Sequence, residues 1–400
     1  MKASAGNRVL MLLENSTYPL DVRVRYEATA LTDAGYQVSV ICQRGPKQLW
    51  HETIDSVSIY RYPAPPQAQG ACSYIVEYAY SFVAMFLVSL VVWVHRGFNI
   101  IHAANPPDTA VFLALFYKLF GKQFVFDHHD LAPEMYVVRY GSRGTGIVHR
   151  MLMWLERMSF RFADHVISTN QSYKAIALQR GCLPQERVTV VRNGPALDRL
   201  RLVEPDAELS KRGAVLLGYI GVMAPQDGLD YLLRALHQLL TVLERSDFHC
   251  VIIGKGSALA DLKAQASGLG LDPYVWFTGF IPFADVLRYL STIDIGVDPD
   301  PSNCFNDRCT MIKMMEYMTL RKPIVAFDLP EHRVTAGEAA LYARPNDELD
   351  FARQLAVLMD DPERRRRMGE VGRERIETEL AWPHQAKSLL NAYESLRAAS

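Results

Sequence analysis

Asn-Asp-Arg-Cys-Thr-Met-Ile-Lys-Met-Met-Glu-Tyr-Met-Thr-Leu-Arg-Lys-Pro-Ile-Val-Ala-Phe-Asp, residues 306–328, reads as a polar loop, a helix carrying Thr310, Lys313 and Glu316, and a buried strand over 323–326. A loop that feeds a helix N-terminus presents backbone N–H groups without intrahelical partners and the positive end of the helix dipole, which suits a phosphate. Lys313 adds a mobile cation close to that point. Glu316, farther along the helix, would repel phosphate but can accept hydrogen bonds from a ribose diol. The segment fits a nucleotide-diphosphate site. Taken alone, it fits equally well a surface helix with an ordinary lysine and glutamate.

Working outward, short apolar runs alternate with longer helical patterns along the chain. Strands are expected over 9–13, 37–42, 57–60, 100–103, 123–126, 165–168 and 188–191, with helices between most of them, such as 23–34 and 108–120. A polar stretch near 203–213 follows. A second series then places strands at 214–220, 249–253, 275–278, 293–297, 323–326 and 340–342, before helical patterns at 348–359, 362–377 and 384–398. Near-continuous apolar strands alternating with helices imply parallel sheets covered on both faces. The expected fold class is α/β, with two Rossmann-like domains whose parallel sheets face a central cleft. The first domain is expected over 1–205 and the second over 206–380, with a C-terminal helix over 381–400 available to pack back on the first. Ligands of open parallel sheets sit beyond the carboxyl ends of the strands, so the loops after strands are the places to look.

Composition narrows the function. Lysines plus arginines (43) nearly balance aspartates plus glutamates (44), so no global basic field recruits nucleic acid. The six cysteines, Cys42, Cys72, Cys182, Cys250, Cys304 and Cys309, form no C-x2-C pair, which excludes the usual zinc and redox spacings and points to reduced thiols. The N-terminal apolar run over 9–13 is too short for a signal peptide, and the expected location is cytoplasmic. The first strand is followed by Glu-Asn-Ser-Thr-Tyr-Pro rather than G-x-G-x-x-G, which disfavours a nicotinamide dehydrogenase.

Residues 78–94 are apolar nearly all round, interrupted by Ser81 and Ser89. A crossing helix would separate strands that belong in one sheet, so the segment reads as a buried helix or as one with a face in the lipid interface. Nearby Trp93, His95 and Arg96 support the second reading. The stretch 139–161 mixes Arg139, Arg143, Arg150, Arg157 and Arg161 with Met151, Leu152, Met153 and Trp154. It suits anionic lipid headgroups or an anionic lipid-linked acceptor, and equally a solvated amphipathic helix. Peripheral contact with the inner face of the cytoplasmic membrane is therefore an expectation.

Over almost its whole length the chain resembles glycosyltransferase family 4, which has the GT-B fold. The resemblance rests on Pro-Leu-Asp-Val-Arg-Val-Arg-Tyr-Glu-Ala (19–28), Ala-Gly-Tyr-Gln-Val-Ser-Val (34–40), Phe-Asp-His-His-Asp-Leu-Ala-Pro-Glu (126–134) and Val-Val-Arg-Asn-Gly (190–194). Gly-Tyr-Ile-Gly-Val-Met-Ala-Pro-Gln-Asp-Gly (218–228), Ile-Ile-Gly-Lys-Gly (252–256) and the 310–316 helix extend it. The order and spacing of these motifs, more than any one alone, carry the likeness, which is nearest in flavour to bacterial enzymes of surface-polysaccharide or O-antigen synthesis.

The resemblance implies roles for particular residues. His129, just past the strand at 123–126, would lie near the transferred sugar, with its neighbour His128 as the alternative on the acceptor side. Asp130 would cap the following turn. Glu316 matches the second glutamate of the family's E-x7-E pattern and would hold the ribose hydroxyls. The first glutamate is replaced by Arg308, beside Asp307. The amides of Thr310, Met311 and Ile312 would cradle the diphosphate, Gly221 would allow close approach to it, and Phe280 and Ile281 would meet the base. Many members carry an arginine and a lysine after the strand at 214–220, where this chain has Met223 and Asp227. The missing charge is therefore expected from Lys313 and Arg308, or from Arg23 or Arg25 of the first domain.

The implied activity is metal-independent, retaining transfer of a sugar from a nucleotide-diphosphate donor, UDP foremost, to a glycan or polyprenyl-diphosphate-linked acceptor. No cofactor is expected. Two rivals stand beside it: a GT-B-fold nucleotide-sugar 2-epimerase, which would act without an acceptor, and a non-catalytic nucleotide-sugar-binding protein.

Overall fold

The structure is a computed structural model that describes residues 7–65, 71–141 and 146–398, the positions 71–75 by their backbone alone. Arg143 and the side chain of Cys72 lie outside the described residues. The chain divides into two compact units, one formed by residues up to Asn193 together with those from Pro383 onward, the other by Gly194–Trp382.

In the first unit the strands are β1 (Arg8–Leu12), β2 (Gln37–Arg44), β3 (His51–Ile54), β4 (Val57–Pro63), β5 (Ile100–Ala104), β6 (Gln123–His128), β7 (His165–Ser168) and β8 (Val188–Val190). Its helices are α1 (Val22–Asp33), α2 (Ala71–His95), α3 (Ala110–Lys118), α4 (Ala132–Tyr140), α5 (Ile147–Phe162) and α6 (Gln171–Gly181). The sheet runs β3-β4-β2-β1-β5-β6-β7-β8 and is parallel except for the β3–β4 hairpin. That hairpin closes on Asp55 and Ser56, which both take positive φ (49° and 66°), as a two-residue turn matched to strand twist requires. Strand β5 is buried at every position, as expected of a strand covered on both faces. Asp21 caps α1 by accepting from the Val24 amide at 2.9 Å, and Asn170 caps α6 through the Tyr173 amide at 2.8 Å.

In the second unit the strands are β9 (Val215–Ile220), β10 (Phe248–Ile253), β11 (Val275–Gly279), β12 (Ile295–Asp298), β13 (Ile324–Phe327) and β14 (Ala340–Ala343). Its helices are α7 (Leu229–Thr241), α8 (Leu259–Gly268), α9 (Phe283–Thr292), α10 (Ile312–Thr319), α11 (Pro330–Ala336), α12 (Glu348–Asp360) and α13 (Pro362–Arg375). The six strands are ordered β11-β10-β9-β12-β13-β14 and all pair in parallel. Order reverses between β9 and β12, and the first unit's sheet reverses likewise between β1 and β5. Such reversals open a crevice at the strands' carboxyl ends, where ligands of this architecture bind.

The last helix, α14 (Trp382–Ala398), joins the first unit. Its Tyr393 hydroxyl lies 2.7 Å from His102 Nδ1, its Gln385 side chain accepts the Arg192 amide at 3.0 Å, and Gln123 Nε2 donates to the Leu396 carbonyl at 3.0 Å.

The boundary between the units falls at Asn193/Gly194, earlier than the position 205 expected from the polar stretch near 203–213. The stretch is fastened to its own unit by the side chain of Asp206 and by backbone amides that donate to side chains of α9. Asp206 accepts the Leu209 amide at 2.8 Å and pairs with Arg288, and the amides of Val203 and Asp206 donate to Ser291 and Thr292 at 3.1 and 2.7 Å.

Beyond the carboxyl ends of β9, β10 and β11 the backbones run against one another. Gly221 N–H donates to the Ile253 carbonyl, Gly254 N–H to that of Gly279, and Met223 N–H to that of Lys255, each at 3.1 Å. Gly254 has φ 137°, and a Cβ there would sit 1.9 Å from the Gly221 carbonyl oxygen. Gly254→Ala should therefore force the two loops apart and lower unfolding stability by roughly 3 kcal/mol. Urea denaturation measures this, and an unchanged midpoint would show that the loops are not packed as described.

Candidate functional site

In the first unit the site builds on the end of β6. Asp127 is fully buried, and Arg23 from α1 grips it with two hydrogen bonds, Nε to Oδ2 at 2.8 Å and Nη2 to Oδ1 at 2.6 Å. The same guanidinium donates to the Val191 carbonyl (3.0 Å) and Asn193 Oδ1 (2.7 Å), and lies 3.1 Å from Glu27. Arg23 is thus an internal clamp rather than the outward-reaching cation expected from sequence. The reason is the cost of leaving Asp127 and Glu27 charged in the interior without a partner. Arg25, half-buried over the Tyr26 ring, keeps its Nη2 without a partner.

His129 sits one residue beyond β6 with its Nδ1 3.0 Å from Asp127 Oδ2 and its side chain 17% exposed. Burial opposes charging of this ring, but the adjacent Asp127 carboxylate outweighs it and holds the pKa above the usual histidine value. Asn105 Oδ1 accepts the amides of His129 and Asp130 at 2.8 and 2.9 Å, which fixes the loop, and its Nδ2 donates to the Asp130 carbonyl at 2.8 Å. His128 goes the other way. It is fully buried among Phe126, Phe160 and Tyr173, with Glu156 at 3.5 Å, so strand alternation removes it from the acceptor side. Asp108, which the sequence reading took only as a helix start, lies 3.2 Å from Asn105 Nδ2, and burial with the charge of Glu156 pushes its carboxyl up to about 7. Asn-Pro-Pro-Asp directly after an apolar strand was the available signal for both residues.

In the second unit the crevice between β9 and β12 is bordered by the loop after β12 and by α10. Met311, at the N-cap of α10, offers no side-chain acceptor to the first amides. Glu316 is half-buried on α10, and among the described residues its carboxylate has no hydrogen-bond or ion-pair partner. Burial drives its pKa up to about 7, with Lys313 opposing. Phe280, 76% exposed in the loop after β11, carries Lys255 Nζ 5.1 Å from its ring centre. Ile220 at the end of β9, Ile281 in the loop after β11 and Met311 just before α10 all pack against one core cluster. Thr310 and the exposed Ile312 flank Met311 at the helix start.

Lys313 is not the mobile cation expected. Its ammonium lies 3.1 Å from Asp298 Oδ1, pairs with Asp300 and sits 5.0 Å from the centre of the Tyr219 ring. His332 Nε2 is 3.7 Å from the other Asp298 oxygen. Desolvation disfavours charge on both aspartates, and although Lys313 contacts both, its single positive charge balances only one ionised carboxylate. Asp298 stays below the usual carboxylate range, held there by Lys313 and His332, while burial and Asp298 hold Asp300 well above it. The ammonium is thereby neutralised within the fold. Arg308 is likewise tied down, donating to the Cys304 carbonyl, whereas Asp307 Oδ1 is buried without a hydrogen-bond partner. Lys255, exposed within Gly254-Lys255-Gly256, is a cation at this edge that the sequence reading quoted but did not select. Glu27, His102 and Asp127, and separately Asp298, Asp300 and His332, are spaced to hold a metal ion, yet Arg23 and Lys313 already supply a positive group to each set.

The first cluster also sets a pH response. His102 is fully buried, with Nε2 3.2 Å from Glu27 and 3.8 Å from Asp127. Burial disfavours its cation, but the two carboxylates prevail and raise its pKa to about 9. A histidine raised on folding contributes stability in full below its unfolded value of about 6.5 and loses it as pH climbs through the folded value. The unfolding midpoint should fall between pH 6.5 and 9, and His102→Gln should flatten that slope while lowering stability at the acid end. Denaturation at both pH values gives the comparison, and an identical slope in the variant would rule the cluster out as its source.

The sequence of the first unit matches the family model described as glycosyl transferase 4-like domain over residues 20–194, and the second matches glycosyl transferases group 1 over residues 214–361. The chain is 24% identical over 258 residues to a 2-deoxystreptamine glucosyltransferase of Streptomyces kanamyceticus, the match spanning 62% of this chain and 65% of that protein. Among solved structures, the sucrose-phosphate synthase of Thermosynechococcus elongatus superposes with a TM-score of 0.80 at 19% identity, covering 98% of this chain and all of that one. Anabaena HepE, solved in complex with UDP-glucose, gives a TM-score of 0.70 at 16% identity over 97% of this chain and 99% of its own. With two consecutive family models accounting for both units and the GT-B fold in its structural neighbours, the chain belongs to glycosyltransferase family 4.

Proposed function

We propose that the chain transfers a sugar from a nucleotide-diphosphate donor to a glycan or lipid-linked acceptor hydroxyl, with retention of configuration, in the assembly of a bacterial surface polysaccharide. One observation carries the donor assignment. Glu316 keeps an unpartnered carboxylate in a crevice whose other acids, Asp298 and Asp300, are already engaged. A carboxylate left free beside a helix start without a side-chain cap suits a ligand that presents hydroxyl donors next to phosphate, which describes a nucleoside diphosphate. Phe280 offers the base an exposed face, Thr310, Met311 and Ile312 offer amides, and Gly221 leaves room for close approach. Asp307, with a buried oxygen awaiting a donor, is assigned with Arg308 to the donor-sugar end.

The leaving diphosphate gathers negative charge as the glycosidic bond breaks, and donors aimed at it supply the main stabilisation. We assign that task to the α10 amides and Lys255, in place of Lys313, and propose that no metal or other cofactor is needed. His129, oriented by Asp127 and Asn105, is assigned to the transferred sugar and Arg25 to the acceptor side. UDP is the first nucleotide to test, being the one held by the fold neighbour HepE.

Calorimetric titration with UDP, GDP and dTDP across pH tests the donor assignment. Ribose hydroxyls donate to the ionised carboxylate, so affinity should rise with pH through about 7, where Glu316 gives up its proton. Glu316→Gln should abolish that pH dependence and weaken binding by roughly 2 kcal/mol. Retention of the wild-type profile in the variant would remove Glu316 from the donor site. In turnover assays run in a chelator, His129→Ala should lower kcat by about a hundredfold or more while leaving nucleotide affinity unchanged. Loss of activity on chelation would overturn the metal-free mechanism.

A further inference from the structure

Helix α2 reverses the usual pattern of a surface helix. Its inward positions are Ser81, Met85, Ser89 and Val92, all at most 1% exposed, and Ser89 Oγ lies 2.8 Å from the Tyr117 hydroxyl. Its outward positions include Val76, Val83, Leu87 and Val94, exposed to 63, 56, 57 and 82%. The span Val76–His95 has a mean hydropathy of 1.7 and is long and apolar enough to cross a membrane. It does not cross one in this fold, because it joins β4 to β5, two strands of a single sheet. An apolar stripe of this length turned to water calls for a covering surface.

The stripe continues onto neighbouring helices. Trp93 of α2 meets Phe120, just past α3, at 4.9 Å between ring centres, and Phe112 of α3 meets Trp154 of α5 at 5.9 Å. Leu119, Ile147 and Trp154 are exposed to 81, 76 and 49%. Along α5 the residues sharing the outer face with Ile147 and Trp154, at spacings of three and four, are Arg150, Arg157 and Arg161. None of these arginines has an ion-pair partner among the described residues. The acids of the three helices offer no counterweight. Glu77 is half-buried, and Glu156 is buried and turned onto Arg180 at 2.9 Å.

We propose that the outer faces of α2 and α5, with the end of α3 between them, form one surface that seats the chain on an anionic lipid bilayer without crossing it. Apolar side chains of α2 enter the headgroup–acyl boundary, Trp154 sits at the interface, and the unpaired arginines meet lipid phosphates. Charge decides between occupants, since a second copy docking on this face would bring like-charged arginines together. The proposal stands whatever sugar or acceptor the site takes.

Flotation with vesicles of equal parts phosphatidylglycerol and phosphatidylcholine, against phosphatidylcholine alone, is the test. The full chain should float with the anionic vesicles, shift its tryptophan emission to the blue, and release as salt rises. Each arginine near the surface contributes roughly fivefold in affinity, so R150E/R157E should weaken binding by more than about tenfold. V83S/L87S should weaken it comparably with no loss of folding stability, as both side chains are exposed. R367E, an exposed arginine of the second unit, serves as the control and should bind like wild type. No flotation of the wild type overturns the proposal, as do surface variants that bind normally. Concentration-dependent dimerisation abolished by V83S/L87S would also overturn it, by giving the face to a second copy.

Discussion

In each unit a buried aspartate at the carboxyl end of a strand is gripped by a side-chain cation: Asp127 of β6 by Arg23, and Asp298 of β12 by Lys313. An ionised carboxylate cannot remain in such a place without a partner, so the pairing governs what may surround it. Arg23 binds the end of β6 to the Val191 carbonyl and to Asn193, fixing where the chain leaves the first unit. Lys313 binds α10 to the loop after β12 and thereby sets the helix that carries Glu316. Histidines complete both clusters. His102 and His129 contact Asp127, and His332 contacts Asp298, so each strand end is a network in which removal of one member strands the others.

This arrangement redistributes the charges that sequence alone would count as available. Arg23 and Lys313 look like phosphate ligands in a list of basic residues near family motifs, yet both charges are consumed inside the protein. What remains free is of a different kind: an unpartnered carboxylate at Glu316, helix amides without a side-chain cap, and Lys255 on a loop held between two glycines. On the donor reading proposed above, a site built this way would recognise hydroxyls and a diphosphate mainly through backbone geometry, which would make up for the Met223 and Asp227 that stand where many family members carry Arg and Lys.

The sequence exposed the architecture well because parallel strands buried on both faces must be apolar throughout, and such runs are hard to mistake. β3 escaped notice for the opposite reason. His-Glu-Thr-Ile at the sheet edge is half-exposed and has no apolar continuity. The unit boundary was misplaced because composition reports polarity but not what the polar groups bind, and the residues near 206 bind their own unit. The pairing of Arg23 with Asp127 links positions 104 residues apart, a relation that no local pattern encodes. Glu316 and His129 stood out because a motif and a strand end located them, whereas Asp300 and His332 become visible only once the chain is folded around Lys313.

The same distinction between local pattern and folded context applies to α2. Its composition satisfies a transmembrane reading, and its interruption by two serines would ordinarily mark the wet side of an amphipathic helix. The sheet decides otherwise. Since β4 and β5 must lie in one layer, the helix between them is confined to a single side, and the serines turn inward because Tyr117 gives one of them a partner there. The apolar residues then have nowhere to go but outward. An outward apolar stripe costs solubility unless something covers it, and the arginines of α5, without ion-pair partners among the described residues, favour a cover of negative charge, as the membrane proposal requires.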